Sequence, residues 1–337
     1  MSKIEKSLYE FPEMMKKALK KEVDFSIEKK LKNIVIAGMG GSAISGDVLI
    51  DLIKDKIEIP IEVCRDYNLP NFVKEDSLVV IISYSGNTEE TISCFKQAIK
   101  KRAKIFCITS NGILENLCEK YKIPLIKIPP KLKPRAAFPF LFISLLKIID
   151  SFKKELMILE GIEEAIEIIE KIREENFDKK KKELKQEGEL YELAKLVYKK
   201  EAILIYSPEY LKGIATRIKT QINENSKMLS WFSLLPELNH NELSGWQEVK
   251  KSNFAVIFLR DREESKSIRK RIEYTKEILK SKATIKDIWS IGKERVTRIF
   301  SLVYQGDILS LYIGKMRKVN IDEVPLQDRI KEILRWI

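Results

Sequence analysis

Residues 33–53 read NIVIAGMGGSAISGDVLIDLI. The opening NIVIAG (Asn33–Gly38) is a short apolar run closed by glycine, the pattern of a strand buried on both faces. SAISGDVLIDLI then takes up a helical pattern, so a strand passes through glycines directly into a helix. Downstream, IEIPIEVC, SLVVIIS (Ser77–Ser83), AKIFCIT and PLIKIP read as strands. TEETISCFKQAIKKR, ILENLCEKY and the long apolar AAFPFLFISLLKIID read as helices between and after them. Apolar runs alternating with amphipathic helices predict an α/β fold, a doubly wound parallel sheet flanked by helices.

Residues 151–189 turn helical and heavily charged and read as a connector. Beyond them the first pattern restarts. EAILIYSP (Glu201–Pro208) parallels NIVIAGMG, and YLKGIATRIKTQINENSKML parallels the helix after it. NFAVIFLR parallels SLVVIIS, and KATIKDIWS parallels RAKIFCITS. Two copies of one unit, residues 1–150 and 190–337, account for the length of 337 residues better than one large domain does. The second copy lacks the glycines and the Ser/Thr-rich loop of the first, which predicts different jobs for the halves.

With 62 Lys and Arg against 50 Asp and Glu the chain carries a formal charge of +12. That balance alone permits nucleic acid, anionic membranes or small anions as partners. The basic residues lie mostly in mixed stretches such as EENFDKKKKELKQEGELYELAK, which read as solvated helix faces. No nucleic-acid-binding signature accompanies them. No apolar run approaches the ~20 residues of a membrane span, and the start lacks a signal-peptide pattern, so a cytoplasmic protein is expected. The abundance of Lys, Glu and Ile is compatible with a heat-loving source, and equally with nucleotide bias. Cys64, Cys94, Cys107 and Cys118 form no C-x-x-C pair and have no histidine near them, which argues against zinc or a disulfide framework.

Several stretches have the makings of a site. GMGGSAISGD (Gly38–Asp47) offers helix-start N–H groups and glycines that allow an anion to approach the backbone. It also satisfies G-x-G-x-x-A, which keeps a nicotinamide-dependent enzyme open; its usual acidic partner is ambiguous here, because Arg65 precedes Asp66. SYSGNTEE (Ser83–Glu90) gathers the hydroxyls of Ser83, Ser85 and Thr88 around a second strand-to-helix turn, suited to a phosphate monoester or simply capping the helix. KLKPRAAF places Arg135 at a loop–helix junction, where it serves an oxyanion or a carboxylate, or is merely solvated. In QINENSKML, Glu224 shares a helical face with Arg217 and Thr220 in an amide-rich setting. His240, in PELNHNE, is the single histidine, so no multi-histidine metal site is possible and proton transfer is its open role.

Taken in order, GMGGSAISGD, SYSGNTEE, PRAA, NENSK and PELNHNE resemble the archaeal and bacterial bifunctional phosphoglucose/phosphomannose isomerases, built from tandem SIS (sugar isomerase) domains. The resemblance runs from about residue 30 onward. It implies two SIS domains, a homodimer, no metal and no cofactor, and conversion of glucose 6-phosphate or mannose 6-phosphate to fructose 6-phosphate. By the same resemblance Gly40, Gly41, Ser42, Ser83, Ser85 and Thr88 hold the phosphate. Glu224 moves a proton between C1 and C2, Arg135 stabilises the enediolate, and His240 of the partner subunit assists ring opening. The C-terminal KVNIDEVPLQDRIKEIL departs from the family pattern, leaving Lys331 as the one residue carried over there. A non-catalytic SIS-type sugar-phosphate regulator is the alternative; it gives no reason for NENSK or for His240.

Overall fold

The computed structural model describes residues 1–22 and 31–334. Helices α1 (Lys3–Tyr9) and α2 (Phe11–Leu19) precede the first sheet. There follow β1 (Asn33–Gly38), α3 (Gly40–Ile53), β2 (Ile61–Cys64), β3 (Ser77–Ser83), α4 (Glu89–Lys100), β4 (Lys104–Thr109), α5 (Ile113–Tyr121), β5 (Leu125–Lys127) and α6 (Phe138–Asp150). The five strands are all parallel, in the order β2-β1-β3-β4-β5. The order reverses between β1 and β3, and the crevice beyond their carboxyl ends is where such sheets take ligands.

Helices α7 (Ile162–Asn176) and α8 (Glu189–Val197) lead to β6 (Ala202–Pro208), α9 (Lys212–Ser226), β7 (Leu229–Leu235), α10 (Glu242–Gly245), β8 (Phe254–Arg260), α11 (Lys266–Leu279) and β9 (Thr284–Trp289). These four strands form a second parallel sheet, β7-β6-β8-β9. Helices α12 (Arg295–Met316) and α13 (Pro325–Leu334) come after it. No helix among the described residues is long and apolar enough to cross a membrane.

Two elements differ from expectation for visible reasons. The strand read at IEIPIEVC is paired only over Ile61–Cys64, because Pro60 has no N–H to offer a ladder. The helix read through to Leu229 instead stops at Lys227, whose φ of 51° is left-handed, and Leu229–Leu235 becomes the edge strand β7. Its alternation is inverted: Leu229 and Trp231 face outward while Ser230 is buried and donates to the Ile203 carbonyl at 2.7 Å. That arrangement hides a strand from a hydrophobicity reading.

The two sheets share a helical middle. Helices α3 and α6 of the first half pack against each other, as do α9 and α12 of the second, and α3 meets α9 across the junction. One continuous apolar core runs through this layer, from Ile34 and Phe138 to Ile218 and Phe300. A smaller cluster covers the outer face of each sheet. Helix α7 lays its apolar stripe, Ile162, Ile166, Ile169 and Ile172, into the same core beside α12.

The α3–α9 crossing is close enough to require glycine. A Cβ on Gly213 would sit 2.5 Å from the Asp47 carbonyl carbon and 2.7 Å from the Val48 nitrogen, pressed against that one peptide group of α3. Asp51 reinforces the crossing, its carboxylate accepting the Ile214 N–H at 3.0 Å at the start of α9. Gly213→Ala is expected to destabilise by about 1–3 kcal/mol through overpacking, read as a lowered urea midpoint with an unchanged slope. An unaltered midpoint would show that the crossing has slack.

Candidate active site

Each half contributes what its local sequence makes available. In the first half, β1 ends at Gly38 and α3 opens with Gly40, Gly41 and Ser42, so first-turn N–H groups lie at the sheet's carboxyl edge. The second loop is tied to the first: Ser42 Oγ accepts the Tyr84 N–H at 3.1 Å. Ser83, the last residue of β3, is buried and donates from Oγ to Thr88 Oγ1 at 3.1 Å. Thr88 is the N-cap of α4 and spends no side-chain bond on its own helix. Ser85 is exposed at the turn, with Oγ accepting the Asn87 N–H at 3.3 Å. The six phosphate-loop residues expected from the sequence therefore belong to two adjoining strand-to-helix turns.

Arg135 is brought against the first turn by a backbone contact. A Cβ on Gly41 would lie 3.0 Å from the Arg135 nitrogen and 3.1 Å from the Pro134 carbonyl carbon, so a side chain there would push the Pro134–Ala136 segment back by a few tenths of an ångström. The guanidinium is buried and enters the second half. Nε donates to Asn225 Oδ1 at 2.8 Å, Nη2 to the Ile321 carbonyl at 2.6 Å, and Nη1 lies 3.4 Å from Glu224 Oε2. Burial pulls its pKa below the ordinary arginine range, while Glu224, Asp322 and Asp328 pull it back up. Guanidinium basicity is high enough that the charge survives.

Glu224 sits in the last turn of α9 with its side chain about a quarter exposed at 26%. It is thus a carboxylate that a ligand can reach, paired with a buried cation from the other half of the chain. Lys227, just past the helix, donates from Nζ to the carbonyls of Glu224 and Glu323. Burial, then the neighbouring Arg135, lowers its pKa.

Beneath these groups lies a polar network that sequence reasoning missed. Arg217, which shares a helical face with Glu224 by spacing, is turned inward and buried. Its Nε and Nη2 donate to Asp307 at 3.0 and 2.6 Å, and Nη2 also reaches the Arg135 carbonyl at 3.1 Å. Gln221 adds a bond to Asp307 at 2.9 Å, and the guanidinium lies 4.3 Å over the Phe138 ring. The available signal was Asp307 itself, a lone acid inside the apolar run RIFSLVYQGDILSLYIG.

His240 is exposed, at the end of a short turn after β7, and its imidazole makes no hydrogen bond among the described residues. Within one chain it is not joined to Glu224 or Arg135. Lys331 falls in α13, and its side chain lies outside the described residues. A cavity of about 910 Å³ lies elsewhere: Asp47, Asp51, Lys212, Arg295 and Arg298 line it at the opposite end of α9. Lys212 and Glu224 are separated by most of that helix, about 18 Å at 1.5 Å per residue. That cavity holds none of the groups above.

Residues 28–123 match the SIS domain, and residues 162–334 match the bacterial phospho-glucose isomerase C-terminal SIS domain. A bifunctional phosphoglucose/phosphomannose isomerase of Caldicellulosiruptor bescii is 38% identical over 98% of this chain and 98% of its own. This chain belongs to the bifunctional phosphoglucose/phosphomannose isomerase family. A D-glucosamine-6-phosphate 4-epimerase of Sulfolobus acidocaldarius is 30% identical over 68% of this chain and 69% of its own. The fold of this family member is shared more widely. The C-terminal domain of glucosamine-fructose-6-phosphate aminotransferase from Francisella tularensis superposes with a TM-score of 0.74 at 15% identity, covering 96% and 98% of the two chains.

Asp307→Asn keeps the shape of the network but leaves Arg217 buried without a counter-charge. Breaking such a pair costs about 3–5 kcal/mol, so the urea midpoint of this variant should fall steeply. A midpoint within error of the wild type would mean that Arg217 finds its compensation elsewhere.

Proposed function

We propose that the chain interconverts glucose 6-phosphate and mannose 6-phosphate with fructose 6-phosphate through ring opening and a cis-enediolate. Family membership supports the substrate class. The single observation that carries the chemistry is the 3.4 Å pair of Arg135 and Glu224, with the Arg135 backbone pressed against Gly41. It joins a reachable carboxylate to a charge held beside phosphate-type loops.

In this reading the phosphate takes the α3 and α4 helix starts and the hydroxyls of Ser42, Ser83, Ser85 and Thr88. Glu224 removes the C2 proton and returns it to C1, one carboxylate serving both carbons on one face of the enediol. Arg135 meets the charge that develops on the enediolate oxygens; a fixed donor of this kind is worth about 3 kcal/mol of barrier. Ring opening needs a separate acid/base group, because Glu224 is committed to the carbon-bound proton. His240 of the partner subunit fills that role in a homodimer; its exposed imidazole, without a hydrogen bond among the described residues, is free to do so. Lys331 is a further contributor from α13, and the protein works in the cytoplasm.

A coupled assay starting from fructose 6-phosphate and following both aldose phosphates tests the reading, with formation of both expected. Glu224→Gln should lower kcat by about a thousandfold or more with KM changed only a few-fold, as expected when the proton carrier itself is lost. Near-normal turnover in that variant would remove Glu224 from the chemistry.

A further inference from the structure

We propose that Asn225 is a positioning residue for the isomerisation, fixing the Arg135 guanidinium so that one face of it is left for the reacting oxygens. This role rests on the isomerase reading, in which Arg135 meets the enediolate charge. Asn225 is fully buried. Its Oδ1 accepts from Arg135 Nε at 2.8 Å, and its Nδ2 donates to Ser310 Oγ at 2.9 Å. Ser310 Oγ in turn donates to the Asp307 carbonyl at 2.6 Å, while the Asp307 carboxylate holds Arg217. Arg217 closes the ring by donating to the Arg135 carbonyl at 3.1 Å. Arg135 is therefore gripped at its backbone oxygen, at Nε and, through the Ile321 carbonyl, at Nη2. Nη1 is left facing Glu224.

The choice of an amide has a physical reason. Arginine only donates, and the Ser310 hydroxyl has already spent its hydrogen on Asp307, so the side chain between them must accept on one side and donate on the other. Asparagine does both while staying neutral. An aspartate in that place would accept from Nε but would also neutralise the charge on which the enediolate depends, and it would lose the donor to Ser310. Glu224 and Asn225 are consecutive on one helix, so the proton carrier and the anchor of the cation move together.

Asn225→Asp and Asn225→Ala separate this role from a purely structural one. The isosteric Asn225→Asp is expected to lose about a hundredfold in kcat, and Asn225→Ala about ten- to a hundredfold, with KM for fructose 6-phosphate within about threefold of the wild type. Affinity for a five-carbon aldonate phosphate, whose carboxylate copies the enediolate, should fall by the same factor as kcat. Thermal melting scores folding separately. Folded Asn225→Asp with wild-type kcat, or a loss that appears only in KM, overturns the proposal. Asn225→Ala unfolding while Asn225→Asp stays folded and fully active overturns it as well. Wild-type protein without turnover of any of the three sugar phosphates fails the isomerase reading itself, and the role of Asn225 falls with it.

Discussion

The buried ion pair between Arg217 and Asp307 is the constraint to which the rest of the site is referred. It joins α9 to α12 inside the second half, and through the Arg135 carbonyl it reaches into the first. Such a pair contributes little net stability over a well-packed apolar substitute, because desolvation consumes most of the attraction. What it supplies is a fixed place. The two charges meet only in one relative position of α9, α12 and the Pro134–Ala136 segment, which is the position that sets Arg135 beside Glu224.

That geometry explains why the halves are unequal. The first keeps glycine-opened turns at the switch point of its sheet, where helix starts present N–H groups to an anion. The second lacks those turns and, in the proposed reaction, contributes the end of α9 with Glu224. Neither half holds all the residues of the proposed site. The α3–α9 crossing at Gly213 and the approach of Gly41 to Arg135 bring the parts together, so the geometry of the proposed site and the packing of the two halves are one problem in this chain.

Much of this was legible in the amino-acid sequence. NIVIAGMGG and SLVVIIS announced parallel strands with glycine- and hydroxyl-rich exits, and the restart at EAILIYSP announced the second sheet. The motifs PRAA and NENSK, far apart in the chain, proved to be neighbours. The hidden parts have identifiable causes. Strand β7 puts Leu229 and Trp231 outward and Ser230 inward, the reverse of the usual pattern. Helix α12 is apolar on nearly all sides because it is enclosed, so it shows little of the face-to-face contrast by which a surface helix is read. Asp307 and Arg217 are intelligible only as a pair, and 90 residues separate them.

In the proposed reaction a carboxylate, steadied by a buried guanidinium, carries hydrogen between adjacent sugar carbons as a proton. Isomerisation of glucose 6-phosphate in deuterium oxide, with the ketose analysed by NMR, tests this most directly. A quarter-exposed Glu224 can exchange its proton with solvent between the two half-steps, so fructose 6-phosphate should carry deuterium at C1. No solvent deuterium at C1 of the ketose or C2 of the aldose even after many reversible turnovers, as a hydride shift would give, would exclude proton transfer through Glu224.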